Sequence, residues 1–186
     1  FHAKNLSKYL KKNKISHVKL REPGGSVNSE KIRKLILNNK SNFNKKTDLL
    51  LYLAARSENI IKLKKNYKKK VIIIDRFTDS TIAYQHFGMG VNRSLIEKLN
   101  KHILENFKVD FTFLNIVNQS NMIRRLKTRK KLNRYDKFKS NFYRKVQSGY
   151  IKMSKINQKK YKVINSNEDI QKNKKIIIEK IDQLLK

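Results

Sequence analysis

VIIIDRFTDSTIAYQ (residues 71–85) opens on four β-branched residues, meets an acid–base pair, then runs through hydroxyl side chains to a tyrosine and an amide. An unbroken apolar run this short reads as a strand covered on both faces, the pattern of a parallel sheet. Ending it in Asp75-Arg76 places two charges where the strand leaves the core. In open parallel α/β sheets, ligands bind beyond the carboxyl ends of the strands, so the doublet is read as facing a ligand. An Asp in that position suits Mg²⁺, held directly or through water in a phosphate-transfer site, and Arg76 beside it suits a phosphate. A structural salt bridge would account for the doublet alone, not for the polar residues after it. Thr81, Tyr84 and Gln85 follow at helical spacings of three and four and form one face able to read a nucleoside. Core packing is the alternative for Tyr84.

Outward from this stretch, helical and strand patterns alternate. A first helix over 1–13 carries Leu6 and Leu10 on one side, and SHVKL (16–20) is a short strand. A loop REPGGS leads to a helix at 29–39 with Ser29 as its cap, then to a long helix at 47–66 capped by Thr47 or Asp48. After 71–75 come an amphipathic helix with Leu95, Leu99, Ile103 and Leu104 on one side, a strand at 110–117 and a basic helix at 119–131. A helix at 140–156, a strand at 161–165 and a C-terminal helix complete the order. Such alternation predicts an α/β fold, a parallel sheet with helices on both faces. The 186 residues form one domain, with a lid at 124–140.

Composition narrows the class. No apolar run approaches the roughly 20 residues of a membrane span, and there is no signal-peptide pattern. The absence of cysteine excludes disulfides and thiolate metal sites and fits a reducing cytoplasm. A net charge of +32 raises the alternative of a basic nucleic-acid-binding protein without catalysis. The lysines, however, are spread along the whole chain beside Asn and Ile, as compositional drift would leave them. Only 10 of the 46 basic residues are arginine, so each arginine points to a site needing a planar, forked cation for carboxylate or phosphate.

Those arginines fall in telling places. Arg21 and Glu22 flank the glycine turn after the first strand, where Glu22 can hold a neighbouring arginine or a sugar hydroxyl. Tyr52 and Arg56 lie four apart on one helix face, a ring to stack on a base and a cation for its carbonyl edge. A core tyrosine and a solvated arginine are the plainer reading of that pair, and Arg33 shares the ambiguity. NMIRRLKTRKKLNRYD (121–136) gathers Arg124, Arg125, Arg129 and Arg134, either a solvated basic helix or a lid closing over phosphates. The four histidines show no metal-ligand spacing.

Together REPGGS, LLYLAARSEN, VIIIDRFTDSTIAYQ and FYRKVQSGY resemble the thymidylate kinase family in order and spacing across nearly the whole chain. These are P-loop nucleoside monophosphate kinases that phosphorylate dTMP with ATP. The resemblance implies roles. Tyr52 takes the place of the aromatic that stacks on thymine, usually Phe. Arg56 and Gln85 read the base edge with Thr81 near its O4 side, and Tyr84 crowds the ribose 2′ position. Arg76 grips the dTMP phosphate, Asp75 lies by the metal, and Arg33 and Glu22 line the pocket. Arg125, Arg129 and Arg134 belong to the lid and assist phosphoryl transfer, while Ser166 and Asn167 fall in the adenine loop. The implied partners are dTMP, ATP with Mg²⁺ and a second copy in a homodimer, with no membrane and no nucleic acid.

The sequence also departs from the family. No G-x-x-x-x-G-K-[ST] occurs, Met89 stands where many members have Arg, and Asn133 replaces an Asp. The first helix resembles the one that follows the P-loop, so the expectation is a P-loop kinase fold whose first strand and P-loop are missing from this chain. Losing that central strand would leave a gap in the sheet with unpaired edges on either side. Tyr52 in place of Phe leaves open a kinase for another nucleoside monophosphate.

Overall fold

The computed structural model describes residues 2–129 and 132–185, so Phe1 and the lid residues Lys130 and Lys131 lie outside the described residues. The elements are α1 (His2–Lys12), β1 (His17–Arg21), α2 (Val27–Leu37), α3 (Lys45–Asn66), β2 (Val71–Asp75) and a short α4 (Thr78–Thr81) that runs into a π-helical stretch, Ile82–Gly88. They continue with α5 (Arg93–Leu104), β3 (Thr112–Ile116), α6 (Gln119–Lys127), α7 (Ser140–Ile156), β4 (Tyr161–Asn165) and α8 (Ile170–Leu185).

The strands form two parallel pairs, β1 with β2 and β3 with β4. The pairs are not hydrogen-bonded to each other. Every residue of β2 and of β3 lines one large cleft, whereas no residue of β1 or β4 does, so β2 and β3 present their free edges to the space between the pairs. The described strands thus make two separate two-stranded sheets. The two pairs share a core nonetheless: Ile73 of β2 and Ile164 of β4 pack in one cluster with Leu6 and Leu10 of α1 and Ile177 and Ile181 of α8. On the opposite face Ile72 and Ile74 pack with Leu20, Ile60, Leu63 and Phe107. The apolar run 71–74 is therefore covered on both sides, as its composition predicts. Tyr161 and Tyr150 add polar ties, donating to Asp79 at 2.7 Å and to Ser80 at 2.6 Å.

Several local readings change. Ser26, not Ser29, caps α2 and accepts from the Ser29 N–H at 3.3 Å. Asn44, not Thr47 or Asp48, caps α3 and accepts from Lys46 and Thr47. In both cases the helix starts earlier than its apolar periodicity does. Leu95 is exposed, and the buried face of α5 is built on Ile96 with Leu99 and Ile103, while Leu104 packs into a different cluster. Thr81, Tyr84 and Gln85 do not share a regular α face. The Met89 N–H bonds the Tyr84 carbonyl at 3.0 Å, the wider i to i+5 spacing of a π turn, a geometry often found at functional sites.

Candidate active site

The turn after β1 is held rigidly. Gly24 and Gly25 have φ of +114° and +110°, and a Cβ on Gly24 would lie 2.5 Å from a Glu30 carboxylate oxygen. Glycine is needed there on both counts. The Gly24 N–H donates to Ser29 Oγ at 3.0 Å and the Gly25 N–H to Glu30 Oε1 at 2.9 Å. From α3, Asn59 donates to the Gly24 carbonyl at 2.7 Å, and Arg33 of α2 donates to the Pro23 carbonyl at 2.6 Å. The result is a fixed wall that delivers Glu22 into the cleft.

At the floor lies Arg56, 1% exposed, so it is no solvated charge. Its Nε donates to Glu22 Oε2 at 2.8 Å, Nη1 to Asn100 Oδ1 at 2.5 Å and Nη2 to Thr81 Oγ1 at 3.1 Å, and its plane sits over the Phe77 ring. Burial pushes the Glu22 carboxyl above its ordinary range, against the opposing pull of Arg56. Gln85 is fully buried beside them and bonds Asp48. A guanidinium and an amide thus line the same end of the cleft.

Above this floor the aromatic rings form a chain. Tyr52 meets Tyr135 edge-on at 6.1 Å, Tyr135 meets Tyr84 at 5.8 Å, and the Arg76 guanidinium lies 5.1 Å over the Tyr84 ring. Burial pushes the Tyr52 and Tyr135 phenols up, and Tyr150 up to about 12, so all three are neutral hydroxyls at physiological pH. Arg76 adopts φ +64°, a left-handed conformation rare for arginine and typical of strained residues at working sites. Asp75 is exposed at the end of β2, and its carbonyl accepts from the Glu22 N–H at 2.9 Å.

One cleft of about 1900 Å³ brings together Glu22, Arg33, Tyr52, Arg56, Asp75, Arg76, Thr81, Tyr84 and Gln85. Its far side holds Arg125, Arg129, Ser166 and Asn167. Arg125 donates to the Ser166 carbonyl at 2.6 Å, and Arg129 pairs with Asp136 at 2.5 Å. Arg134 stands apart. It does not line the cleft but pairs with Asp48 and donates to the Ile36 carbonyl at 3.1 Å. The sequence reading missed Asp48, Asn100 and Tyr135. Asp48 had a signal, because positions 48, 52 and 56 repeat every four residues along one face of α3. Asn100 had only its place four residues after Ile96 on an apolar face, and Tyr135 had none.

A parallel α/β fold whose cleft opens at the carboxyl ends of the strands, floored by a buried arginine and rimmed by others, fits the nucleotide kinases of the P-loop kinase fold as a class. The family model described as thymidylate kinase matches residues 1–177, and the chain belongs to the thymidylate kinase family. It is 38% identical over 172 residues to a thymidylate kinase of Mycoplasma capricolum, covering 88% of this chain and 81% of that protein. It is 37% identical to one of Buchnera aphidicola, covering 97% and 86% of the two. The crystal structure of thymidylate kinase from Ehrlichia chaffeensis superposes with a TM-score of 0.76 at 30% identity, covering 97% of this chain and 90% of that one. These findings lend no support to a nucleic-acid-binding protein or to a kinase for another nucleotide.

Proposed function

We propose that the chain transfers the γ-phosphate of ATP to dTMP, giving dTDP. The observation that carries this reading is the buried Arg56, clamped by Glu22, Asn100 and Thr81 beside Gln85 at the floor of the cleft. Thymine lies against Tyr52 with its carbonyl edge toward Arg56 and Thr81 and its N3–H toward Gln85. Tyr84 occupies the space that a ribose 2′-hydroxyl would need. Arg76 holds the dTMP phosphate and orients one of its oxygens for in-line attack on the γ-phosphorus. Arg125 and Arg129 offset the charge that develops as the phosphoryl group moves, so positioning and electrostatics supply the catalysis without a covalent intermediate. Ser166 and Asn167 border the adenine.

Among the described residues no cluster of three acidic or histidine side chains could cage a metal. The site still fits Mg²⁺, which takes one or two carboxylates and completes its shell with waters and phosphates, and exposed Asp75 is the residue to hold it. Bound there, Mg²⁺ supplies charge neutralisation between the phosphates. Residues 124–140 serve as the lid over this end. Leu50 and Ile61 of α3 are 58% and 64% exposed and, with Ala54 and Ser57, make a helix stripe fit for a homodimer seam. The chain has no cysteine, and among the described residues no helix is long and apolar enough to cross a membrane. A reducing cytoplasm suits it.

Calorimetric titration with dTMP, dUMP, ribo-TMP and dCMP tests the acceptor site, and ADP release with ATP and each nucleotide tests transfer. Tightest binding and fastest release with dTMP are expected. Equal binding of dTMP and dCMP would remove the roles given to Arg56 and Gln85.

A further inference from the structure

Asp48 lies in the first turn of α3, where a carboxylate commonly serves the helix end, yet Asn44 already does so and Asp48 is 0% exposed. Three side chains converge on it. The Tyr135 hydroxyl donates to Oδ2 at 2.6 Å, Gln85 Nε2 donates to the same oxygen at 3.0 Å, and Arg134 Nη2 pairs with Oδ1. Every side chain that meets this carboxylate donates to it, Arg134 as its ion-pair partner among them, and a carboxylate so paired serves as an acceptor. The nitrogen end of the Gln85 amide must therefore face Asp48. Its oxygen end is turned the other way, and that oxygen is buried with no partner among the described residues. Gln85 lines the cleft, so the orphaned acceptor is offered to a ligand.

We propose that Asp48 is a positioning residue that fixes which end of the Gln85 amide meets the base, and so makes the site prefer thymine or uracil to cytosine. This rests on the reading of the cleft as a dTMP site. Thymine and uracil carry a donor at N3, which satisfies the Gln85 oxygen. Cytosine carries an acceptor at N3, and two acceptors would face each other in a site without water to separate them. Nothing in Gln85 itself decides this, because an amide turned end for end would favour cytosine at the same position. The choice is made behind it, by a side chain that need not touch the nucleotide. Arg134 and Tyr135 reach the same carboxylate from the end of the basic run 121–136.

The experiment is calorimetric titration of the full chain with dTMP and with dCMP, for the wild type, Asp48→Asn and Tyr135→Phe. Asparagine offers both a donor and an acceptor, so the Gln85 amide can turn over. The dTMP-to-dCMP affinity ratio of Asp48→Asn is expected to fall at least about tenfold. Tyr135→Phe removes another donor from the same oxygen but keeps the carboxylate, and its ratio stays at the wild-type value. A merely structural Asp48 would weaken both nucleotides together, so an unchanged ratio in Asp48→Asn overturns the proposal. Wild-type titration with N3-methyl-dTMP, which lacks the donor, adds a measurement independent of any variant's folding. Binding at least about tenfold weaker than dTMP is expected, and equal binding overturns the role of the Gln85 oxygen. A wild type that does not distinguish dTMP from dCMP would instead sink the reading of the cleft, and this proposal with it.

Discussion

Replacing Arg56 with methionine tests the floor of the cleft most directly. Two guanidinium nitrogens meet Glu22 Oε2 at 2.8 and 2.7 Å, with the two side chains only 1% and 4% exposed. Removing the cation leaves a buried carboxylate without its counter-charge, a loss of about 3–5 kcal/mol. With a urea slope of about 2 kcal/mol per molar, the unfolding midpoint falls by roughly 1.5–2.5 M. The loss also depends on pH in a defined direction. Burial already holds the Glu22 carboxyl above its ordinary range, and Arg56 pulls it back down. Without Arg56 it rises further, and the folded state keeps a proton that the unfolded chain has released. Stability then falls as pH rises through that window, so the deficit is smallest near about pH 4 and largest near about pH 8. Glu22→Gln combined with Arg56→Met removes the stranded charge and recovers part of the loss. A deficit below about 1 kcal/mol, or one equal at both pH values, would refute the reasoning, because it would mean that the pair is solvated rather than sealed.

On the role proposed for Tyr84, Tyr84→Ala narrows the preference for dTMP over ribo-TMP by about tenfold, read by competitive titration of the two nucleotides. Gly149→Ala places a Cβ against the Phe87 ring, where α7 packs on the π-helical stretch. Overpacking of about 1–3 kcal/mol follows and appears as a lowered thermal midpoint. Leu50→Asp with Ile61→Asp puts charges on the exposed stripe of α3 and shifts sedimentation to the monomer, with the thermal midpoint of the protomer little changed.

The sequence revealed those elements whose signal is local. The strands 71–75 and 161–165 and the helix 140–156 end where their apolar patterns and polar flanks say they should. The cleft was legible because Glu22, Tyr52, Arg56, Arg76, Thr81, Tyr84 and Gln85 stand in short motifs, and the fold gathers motifs at the strand ends. What stayed hidden is long-range. Asp48 meets Gln85 across 37 positions and Tyr135 across 87, and no spacing rule links side chains so far apart in sequence. A carboxylate at a helix start looks like a cap whichever role it plays. Arg134 was grouped with the phosphate-facing arginines because they share one basic run, yet its bonds go to Asp48 and the Ile36 carbonyl. Helix starts slipped for a related reason: Ser26 and Asn44 precede the apolar repeat, and a cap needs only its own oxygen and the next turn's N–H groups.

The π-helical stretch Ile82–Gly88 constrains how this chain can change over time. Such a turn is equivalent to one extra residue lodged in an α-helix. Losing a single residue there would restore the ordinary helix and swing everything on one side of it by about 100° relative to the other. The ring at 84 and the amide at 85 would then leave the cleft together, however well their identities were preserved. Between Thr78 and Val91, a change of length would displace more of the cleft than a change of any one side chain.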